Sequence, residues 1–461
     1  MNLLPLIAGG DLDAPLAWAA GRPISRRRYL ADVARLAEQL PPKGYMLNLS
    51  ADRYRFAVGL GAALLRGHAN LMPPNHTTDT VARLEGLFPG MYMIDDPTDA
   101  QGRPGVQGSV VWPAHAACDR DAPQDALQVE TEQVAAQVLT SGSTGDPVPH
   151  TKAWGGLWLN AQAGAERLAE HLGRARMEGV NLVATVPAQH MYGFESSVLL
   201  AMLGGAAFDV GRPFYPADIA AALARLPRPR MLVTTPLHLK TLLDSGTELP
   251  PLDLTVCATA PLSPQLATRA EVALAAPLME IYGCTEAGQV ATRRTTLSAQ
   301  WHTFNGITIE VQGPDAFACG GHVAQRTALA DTLEVETPTC FRLLARSNDL
   351  VNIAGKRSSL THLNHHLNSI VGVQDGAFWL PEQASLDEGE VMRMVAFVVA
   401  PGLSREKILG ALKQRIDPAF VPRRVIWVDA LPRDPTGKLP SQRLAVLAQK
   451  LLASRQVDAA D

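Results

Sequence analysis

The residues best suited to chemistry begin at Thr140-Ser141-Gly142-Ser143-Thr144-Gly145. The apolar Val138-Leu139 before them predicts a buried strand that ends near Thr140 and hands over to a tight loop. Gly142 and Gly145 allow backbone conformations that a Cβ disfavours. Ser141, Ser143 and Thr144 add hydroxyl donors. Successive free N–H groups in such a loop form a concavity suited to a phosphate. An ordinary Ser/Gly turn has the same composition, and short glycine-rich matches are common by chance. The loop is not G-x-x-x-x-G-K-[ST], because only two residues separate Gly142 from Gly145. It is not the G-x-S-x-G elbow of esterases either. Further along stand Ala258-Thr259-Ala260-Pro261-Leu262, Tyr282-Gly283-Cys284-Thr285-Glu286, Asp331, Arg346 and Lys438. A phosphate loop, an acidic residue, a ring and a distant lysine suit a nucleoside triphosphate with a metal. Glu286 is the candidate for Mg²⁺, which takes one or two carboxylates plus substrate oxygens. A glutamate at a helix N-terminus, favoured by the macrodipole, is the plainer alternative. For Lys438, in Asp434-Pro435-Thr436-Gly437-Lys438, the plainer alternative is a solvated turn lysine.

These side chains need a scaffold, and the pattern supplies one. Tyr45–Leu49, Ala69–Met72 and Met91–Ile94 read as strands, with helices over Asp52–Arg66 and Thr78–Phe88 between them. After the glycine loop the alternation resumes. A long helical stretch runs from Ala153 to Leu172, and Val198–Leu203 falls in another helix. Strands follow at Val180–Val186, Ala206–Val210, Met231–Thr234, Leu254–Ala258 and Leu278–Tyr282. Such alternation predicts an α/β fold, a parallel or mixed sheet with helices on both faces. Open sheets of this kind bind ligands at the carboxyl ends of their strands. Thr140–Gly145, Ala258–Leu262 and Tyr282–Glu286 all fall at such ends. From about Gly288 to Leu344 the pattern turns to short β segments, a small barrel or distorted sheet. Beyond Arg346 it reads helix, strand, strand, helix, strand, helix, a compact α+β unit. The boundary is expected at 346–349, giving a core of residues 1–346 and a C-terminal unit of residues 347–461.

Composition narrows the function further. The chain has 461 residues, enough for two or three domains, and is 47% hydrophobic, enough for a large core. A net charge of -4 argues against a nucleic-acid surface. Five cysteines without C-x-x-C spacing imply a reduced, cytoplasmic setting. No basic leader precedes the first acidic residues, so no signal peptide is read. No unbroken run of about 18 apolar residues predicts a membrane span.

Taken in order, these motifs resemble the adenylate-forming superfamily: acyl- and aryl-CoA synthetases, the adenylation domains of peptide synthetases, and luciferases. Thr140–Pro147 resembles its phosphate loop, Ile281–Glu286 its Y-G-x-T-E motif, and Ala258–Leu262 its G-G-A-P-L adenine-side turn. Arg346-Ser347-Asn348-Asp349 resembles the G-R-x-D-D hinge, and Pro435–Leu439 the C-terminal lysine loop. Each motif is weak alone; five in sequence are specific. The resemblance implies that Thr140, Ser141, Gly142, Ser143, Thr144 and Gly145 cradle the β- and γ-phosphates of ATP. Ala260, Pro261 and Gly283 line the adenine side, with Tyr282 stacked on the base. Thr285 contacts the α-phosphate, and Glu286 binds Mg²⁺. Asp331, in Leu329-Ala330-Asp331 where the family has T-G-D, takes the ribose hydroxyls beside Arg346. Asn348 is the hinge, and Lys438 the mobile catalytic lysine.

The departures are informative. The family loop continues P-K-G, whereas this chain reads Pro147-Val148-Pro149-His150-Thr151-Lys152, so Lys152 or His150 stands in for the missing lysine. This variant loop, with Gln189-His190-Met191-Tyr192-Gly193-Phe194-Glu195, resembles the ligases of aryl-polyene and xanthomonadin-type pigment pathways. His190 falls where such ligases gate the carboxylate pocket. Phe194-Glu195-Ser196-Ser197 also resembles the F-D-x-S of amino-acid-activating domains, whose Asp binds an ammonium, although the H-x-Y-G register favours a non-amino acid. His362 and His366, with His365 beside them, are spaced for Zn²⁺ on a helix, but no third ligand is evident and a solvated face suits them better. The expected activity is ATP-dependent conversion of a carboxylic acid to an acyl-adenylate. A thiol, coenzyme A or the phosphopantetheine arm of an acyl carrier protein, then takes the acyl group. An amino-acid-activating enzyme and a non-catalytic adenylate-binding protein are the rival readings.

Overall fold

The computed structural model describes residues 2–73, 75–95, 110–111, 127–141, 147–313, 315–346, 350–353, 356–380, 394–434 and 437–457. Two sheets organise the N-terminal part. The smaller has the order Pro147–Ala153, Val134–Ser141, Ala69–Met72, Tyr45–Asn48, Met91–Asp95, Val110–Val111, parallel except for its first pair. The larger has a parallel centre of Leu278–Cys284, Leu254–Cys257, Arg230–Thr234, Asn181–Ala184, Ala207–Asp209 and Pro15–Ala19. Antiparallel strands extend it, Arg22–Ser25 at one edge and Gly288–Arg293, Gln300–Thr303, Cys340–Arg346 and Asp331–Thr337 at the other. The parallel strands are continuous apolar runs because both of their faces are covered.

The helix Arg53–Leu65 ties the two sheets together. Asp52 caps it, its side chain accepting from the Arg55 N–H. Its apolar residues are buried on nearly every side, against Tyr45–Asn48 and Ala69–Met72. Its buried Arg53 donates to the Ser197 hydroxyl and to the carbonyls of Ala184 and Val186, beside the larger sheet. These acceptors for Nη1 and Nη2 offset much of the cost of burying a guanidinium, while Nε has no partner among the described residues.

The expected β-rich stretch is present as the three-stranded antiparallel sheet Ile307–Gln312, Asp315–Gly320, Val323–Leu329 and the edge strands around it. After residue 350 come a hairpin, Leu350–Ile353 with Lys356–Ser359, and the sheet Asp375–Trp379, Val395–Val399, Arg424–Trp427. Helices Leu360–Asn368, Arg405–Lys413 and Ser441–Val457 pack on it. This part has its own apolar clusters, one around Leu363, Phe378 and Ile408 and one around Phe397, Ile426 and Ala448. Residues 347–349, the expected boundary with Asn348, lie outside the described residues, as does the Pro/Gly/Asp-rich stretch 96–108. Among the described residues no helix is long and apolar enough to cross a membrane.

One local reading changes: Pro147–Ala153 is a strand, and the helix after it starts at Trp154. Val198–Leu203 falls in helical structure as expected; that structure begins at Met191 and contains a π-turn over Phe194–Leu199.

Candidate active site

The parallel strands of the larger sheet deliver their carboxyl ends to one cavity of about 660 Å³. Ala260 and Pro261, just beyond the strand Leu254–Cys257, form one wall. Thr259 beside them sits at φ 83°, a left-handed conformation that a β-branched residue avoids. Strain of this kind collects at functional sites. The buried Glu280 secures the turn: its carboxylate accepts from the Leu262 N–H, and from Arg293 and the Thr295 hydroxyl.

Tyr282, Gly283 and Thr285 form the next wall. The Tyr282 hydroxyl donates to Asp331 Oδ2 at 2.8 Å, and its ring edge packs on Trp301 and Phe341. Asp331 and Arg346 are register partners across a ladder, so the two expected ribose positions are neighbours. The Arg346 side chain lies outside the described residues. The strand runs on through Cys284, and Thr285–Ala287 turn directly into the antiparallel Gly288–Arg293. The helix-terminus alternative for Glu286 therefore fails: the glutamate sits on a hairpin turn. At Gly283 an added Cβ would collide with the Gly288 carbonyl.

Thr140 and Ser141 end the strand Val134–Ser141, and Ser141 pairs with Pro147 on the returning strand. Gly142, Ser143, Thr144 and Gly145 lie outside the described residues. The returning strand carries the substitutes for the absent loop lysine. His150 and Lys152 are two apart, hence on one face of the strand. Lys152 Nζ donates to the Glu286 carbonyl at 2.6 Å. His150 Nε2 lies 3.6 Å from Glu286 Oε1 and 3.0 Å from Thr140 Oγ1. Thr140 and Glu286 thus belong to one locality, with an imidazole between them. Burial lowers the Lys152 pKa, while the charges of Glu195, Cys284 and Glu286 oppose that.

His190 also borders the cavity, at the start of the helical turn Met191–Gly193. Burial, reinforced by the charge of Lys438, pulls its pKa down to about 4, so it is neutral at pH 7. Its Nδ1 has no hydrogen-bond partner among the described residues. Lys438 itself lines the same cavity, brought there from the C-terminal part together with His365. Its backbone is held in a closed turn, with the Lys438 N–H on Asp434 Oδ1 and the Asp434 N–H on the Lys438 carbonyl. Among the described residues no three His, Cys, Asp or Glu gather for an ion; the His362 side chain lies outside them. A single carboxylate at Glu286 suits Mg²⁺ held largely by phosphate oxygens and water.

Two residues of this site escaped the sequence reading. Asn160 is buried on the helix Trp154–His171, hydrogen-bonded to the buried Glu195, and Gly288 lies against both. A lone amide on an otherwise apolar helix face was the available signal.

The model of the family described as "AMP-binding enzyme" matches residues 58–315. A 4-coumarate–CoA ligase of Halorhodospira halophila is 28% identical over 312 residues, covering 65% of this chain and 73% of that relative. Among solved structures, the ATP-bound MatB of Rhodopseudomonas palustris superposes with a TM-score of 0.77 at 16% identity, over 96% of this chain and 97% of that one. The o-succinylbenzoate CoA synthetase of Bacillus subtilis, in complex with its acyl-adenylate, gives 0.76 at 17% identity, over 96% and 98%.

Proposed function

The chain belongs to the AMP-binding enzyme family, and on that premise we propose that it activates a carboxylic acid, aryl or acyl, as its adenylate and passes the acyl group to a thiol. The observation that carries this reading is the position of Lys438, which lines the same cavity as Tyr282, Thr285 and Asp331 and places its charge beside His190. A lysine carried on a separate folded unit into a nucleotide-sized cavity serves a reaction better than it serves simple binding.

In the first half-reaction a carboxylate oxygen attacks the α-phosphorus of ATP. The bond from that phosphorus to the bridging oxygen of pyrophosphate breaks, and acyl-adenylate and pyrophosphate result. Tyr282, Gly283, Ala260 and Pro261 hold the adenine, Asp331 and Arg346 the ribose. Thr285 holds the α-phosphate, and Thr140–Gly145 the outgoing phosphates. Lys438 places its charge where negative charge gathers between acid and leaving group. Preorganised groups of this kind are commonly worth about 10²–10³ in rate each. Mg²⁺, when bound at Glu286, neutralises phosphate oxygens. Neutral His190 borders the carboxylate without trapping it in an ion pair.

In the second half-reaction the unit 347–461 swings about Asn348 and withdraws Lys438. A thiol sulfur attacks the acyl carbon, the bond to the AMP oxygen breaks, and the thiol proton leaves to solvent. Coenzyme A is the acceptor that the relatives' names favour, and a carrier-protein arm is the other acceptor to compare. The loop Pro147–Lys152 keeps the pigment-ligase branch within the proposal.

Pyrophosphate release measured with benzoates, cinnamates and fatty acids tests the reading. At least one class should support turnover. Lys438→Ala should then slow pyrophosphate release by about 10² or more, with far less effect on thioester formation from a preformed adenylate. An absence of pyrophosphate with every acid, or a variant as fast as the parent, would overturn it.

A further inference from the structure

We infer that Arg293 is a positioning residue for the nucleotide: it locks the adenine-side turn 258–262 to the Tyr282 ring, and so sets how tightly ATP and the acyl-adenylate are held. The inference rests on the activation reading above, which places the base between these two walls. It gives a role there to a residue outside every sequence motif.

Strand register builds the connection. Glu280 of Leu278–Cys284 and Arg293 of Gly288–Arg293 are direct partners across their antiparallel pair. The next pair sets Thr292 opposite His302, which brings Arg293 alongside Trp301. Trp301 in turn pairs with Phe341 on Cys340–Arg346. Four strands thus contribute one residue each to a single row. Neighbours in such a row interact on one face of the sheet. Tyr282 lies two residues beyond Glu280 and shares that face. Its ring packs on Trp301 and on Phe341, with centroids 5.7 Å apart in each case.

The row carries charge at one end and rings at the other, and Arg293 belongs to both. Its Nε and Nη2 lie 2.8 Å and 2.7 Å from Glu280 Oε2. Its guanidinium carbon stands 4.4 Å from the centre of the Trp301 ring. A guanidinium can do both at once, because its edge donates while its face stacks. Glu280 is buried, and its other oxygen, Oε1, accepts from the Leu262 N–H. Burial raises the Glu280 pKa, and Arg293 leads the groups that hold it down. Removing one partner of a buried pair leaves the other charge uncompensated. The carboxylate would then shift and carry Leu262 with it.

Both walls of the base site depend on this row. Thr259, three residues before Leu262, keeps φ 83°. A strained turn persists only where its surroundings over-determine it. On the other wall the Tyr282 hydroxyl donates to Asp331, which extends the same rigid set toward the ribose side. Walls already in place spare a ligand the cost of ordering them.

The experiment compares the parent with R293M and R293K. It reads kcat and KM for ATP and for the acid in pyrophosphate release, and KM for a preformed acyl-adenylate in thioester formation. AMP affinity by equilibrium titration and the melting temperature without ligand complete the set. R293M should raise KM for ATP and for the adenylate by about tenfold and weaken AMP binding to match, because the walls must be ordered at each binding event. KM for the acid, and kcat at saturating ATP, should stay within about threefold of the parent, the pattern of lost uniform binding. R293K keeps a charge beside Glu280 and loses the planar stack. It covers the case in which R293M does not fold, and should shift the same constants by about threefold. A loss in both half-reactions separates Arg293 from Lys438, whose loss falls on the first. Nucleotide constants equal to the parent's in a folded variant overturn the assignment. So does a rise shared equally by acid and nucleotide, or a lower melting temperature with unchanged KM, which would make Arg293 structural alone. If no acid releases pyrophosphate while the parent binds AMP, the activation reading falls and the titration still decides Arg293; a parent that binds no AMP overturns both.

Discussion

His238 is buried beside the cavity-forming strands, with Nδ1 hydrogen-bonded to the Thr185 hydroxyl at 2.9 Å and its ring against Phe214. Burial, with the charge of Arg212 adding to it, pulls its pKa from 6.5 to about 4. A histidine depressed in the fold contributes no penalty above its unfolded pKa. It costs stability as pH falls below 6.5, because only the unfolded chain binds the proton. Between pH 7 and 5 that cost is about 2 kcal/mol for one such group. Glu195, raised to about 7, acts in the opposite direction as pH rises from 4.5. The parent's pH profile is therefore a sum, and a single replacement isolates one member of it. His238→Gln should flatten the fall in melting temperature between pH 7 and 5, whatever it does to the value at pH 7. An unaltered slope would show that His238 protonates freely in the fold. The sequence reveals neither pKa, because both depend on neighbours from distant strands.

The lysine loop shows how an element can position a residue it does not contain. Arg433 makes a two-point pair with Asp375, Nε to Oδ2 at 2.8 Å and Nη2 to Oδ1 at 2.7 Å. Its remaining Nη1 donates to the Gly437 carbonyl at 2.9 Å, next to Lys438. Planar pairs of this type fix geometry as well as charge. Asp375→Asn should release the loop and lower kcat for pyrophosphate release by about tenfold, since small misplacements cost up to 10². Thioester formation from the adenylate should fall much less; an equal fall in both half-reactions would assign the pair to folding alone. Elements of strong periodicity were legible in advance: Ala69–Met72 to the residue, and the helix Arg53–Leu65 to within one residue at each end. The strand Pro147–Ala153 was not, because Pro147 and Pro149 argue against a strand. It survives as the end strand of its sheet, where a missing N–H costs least. The π-turn at Phe194–Leu199 left no trace either, since a single wide turn does not disturb an apolar run. The motif residues were readable as types, but the pairing of Lys152 with Glu286 depends on a strand the pattern concealed.

At the scale of the whole molecule, the two parts meet where a lysine of the core grips the C-terminal backbone. Lys240, on the helix Pro236–Asp244, donates through Nζ to the carbonyls of Val373 at 2.6 Å and Gln374 at 2.5 Å. The Gly437 backbone packs on Leu237 of the same helix, leaving 3.2 Å between an added Cβ and the Leu237 Cβ. Both contacts belong to the arrangement in which Lys438 lines the cavity. A swing about Asn348 that withdraws Lys438 would break them, so they favour one arrangement over the other. A hydrogen bond from a charged donor contributes about 1.5–3 kcal/mol, and a difference of 1.4 kcal/mol shifts a two-state population tenfold. Lys240→Met keeps the stem's packing and removes the charge. It should slow single-turnover pyrophosphate release by about tenfold if the closed arrangement becomes the minor one. Single-turnover thioester formation from the acyl-adenylate should hold or quicken, because the arrangement it needs is now favoured. The contrast between the two half-reactions is the signature: a loss shared equally by both would mean that Lys240 stabilises the molecule without choosing between its arrangements.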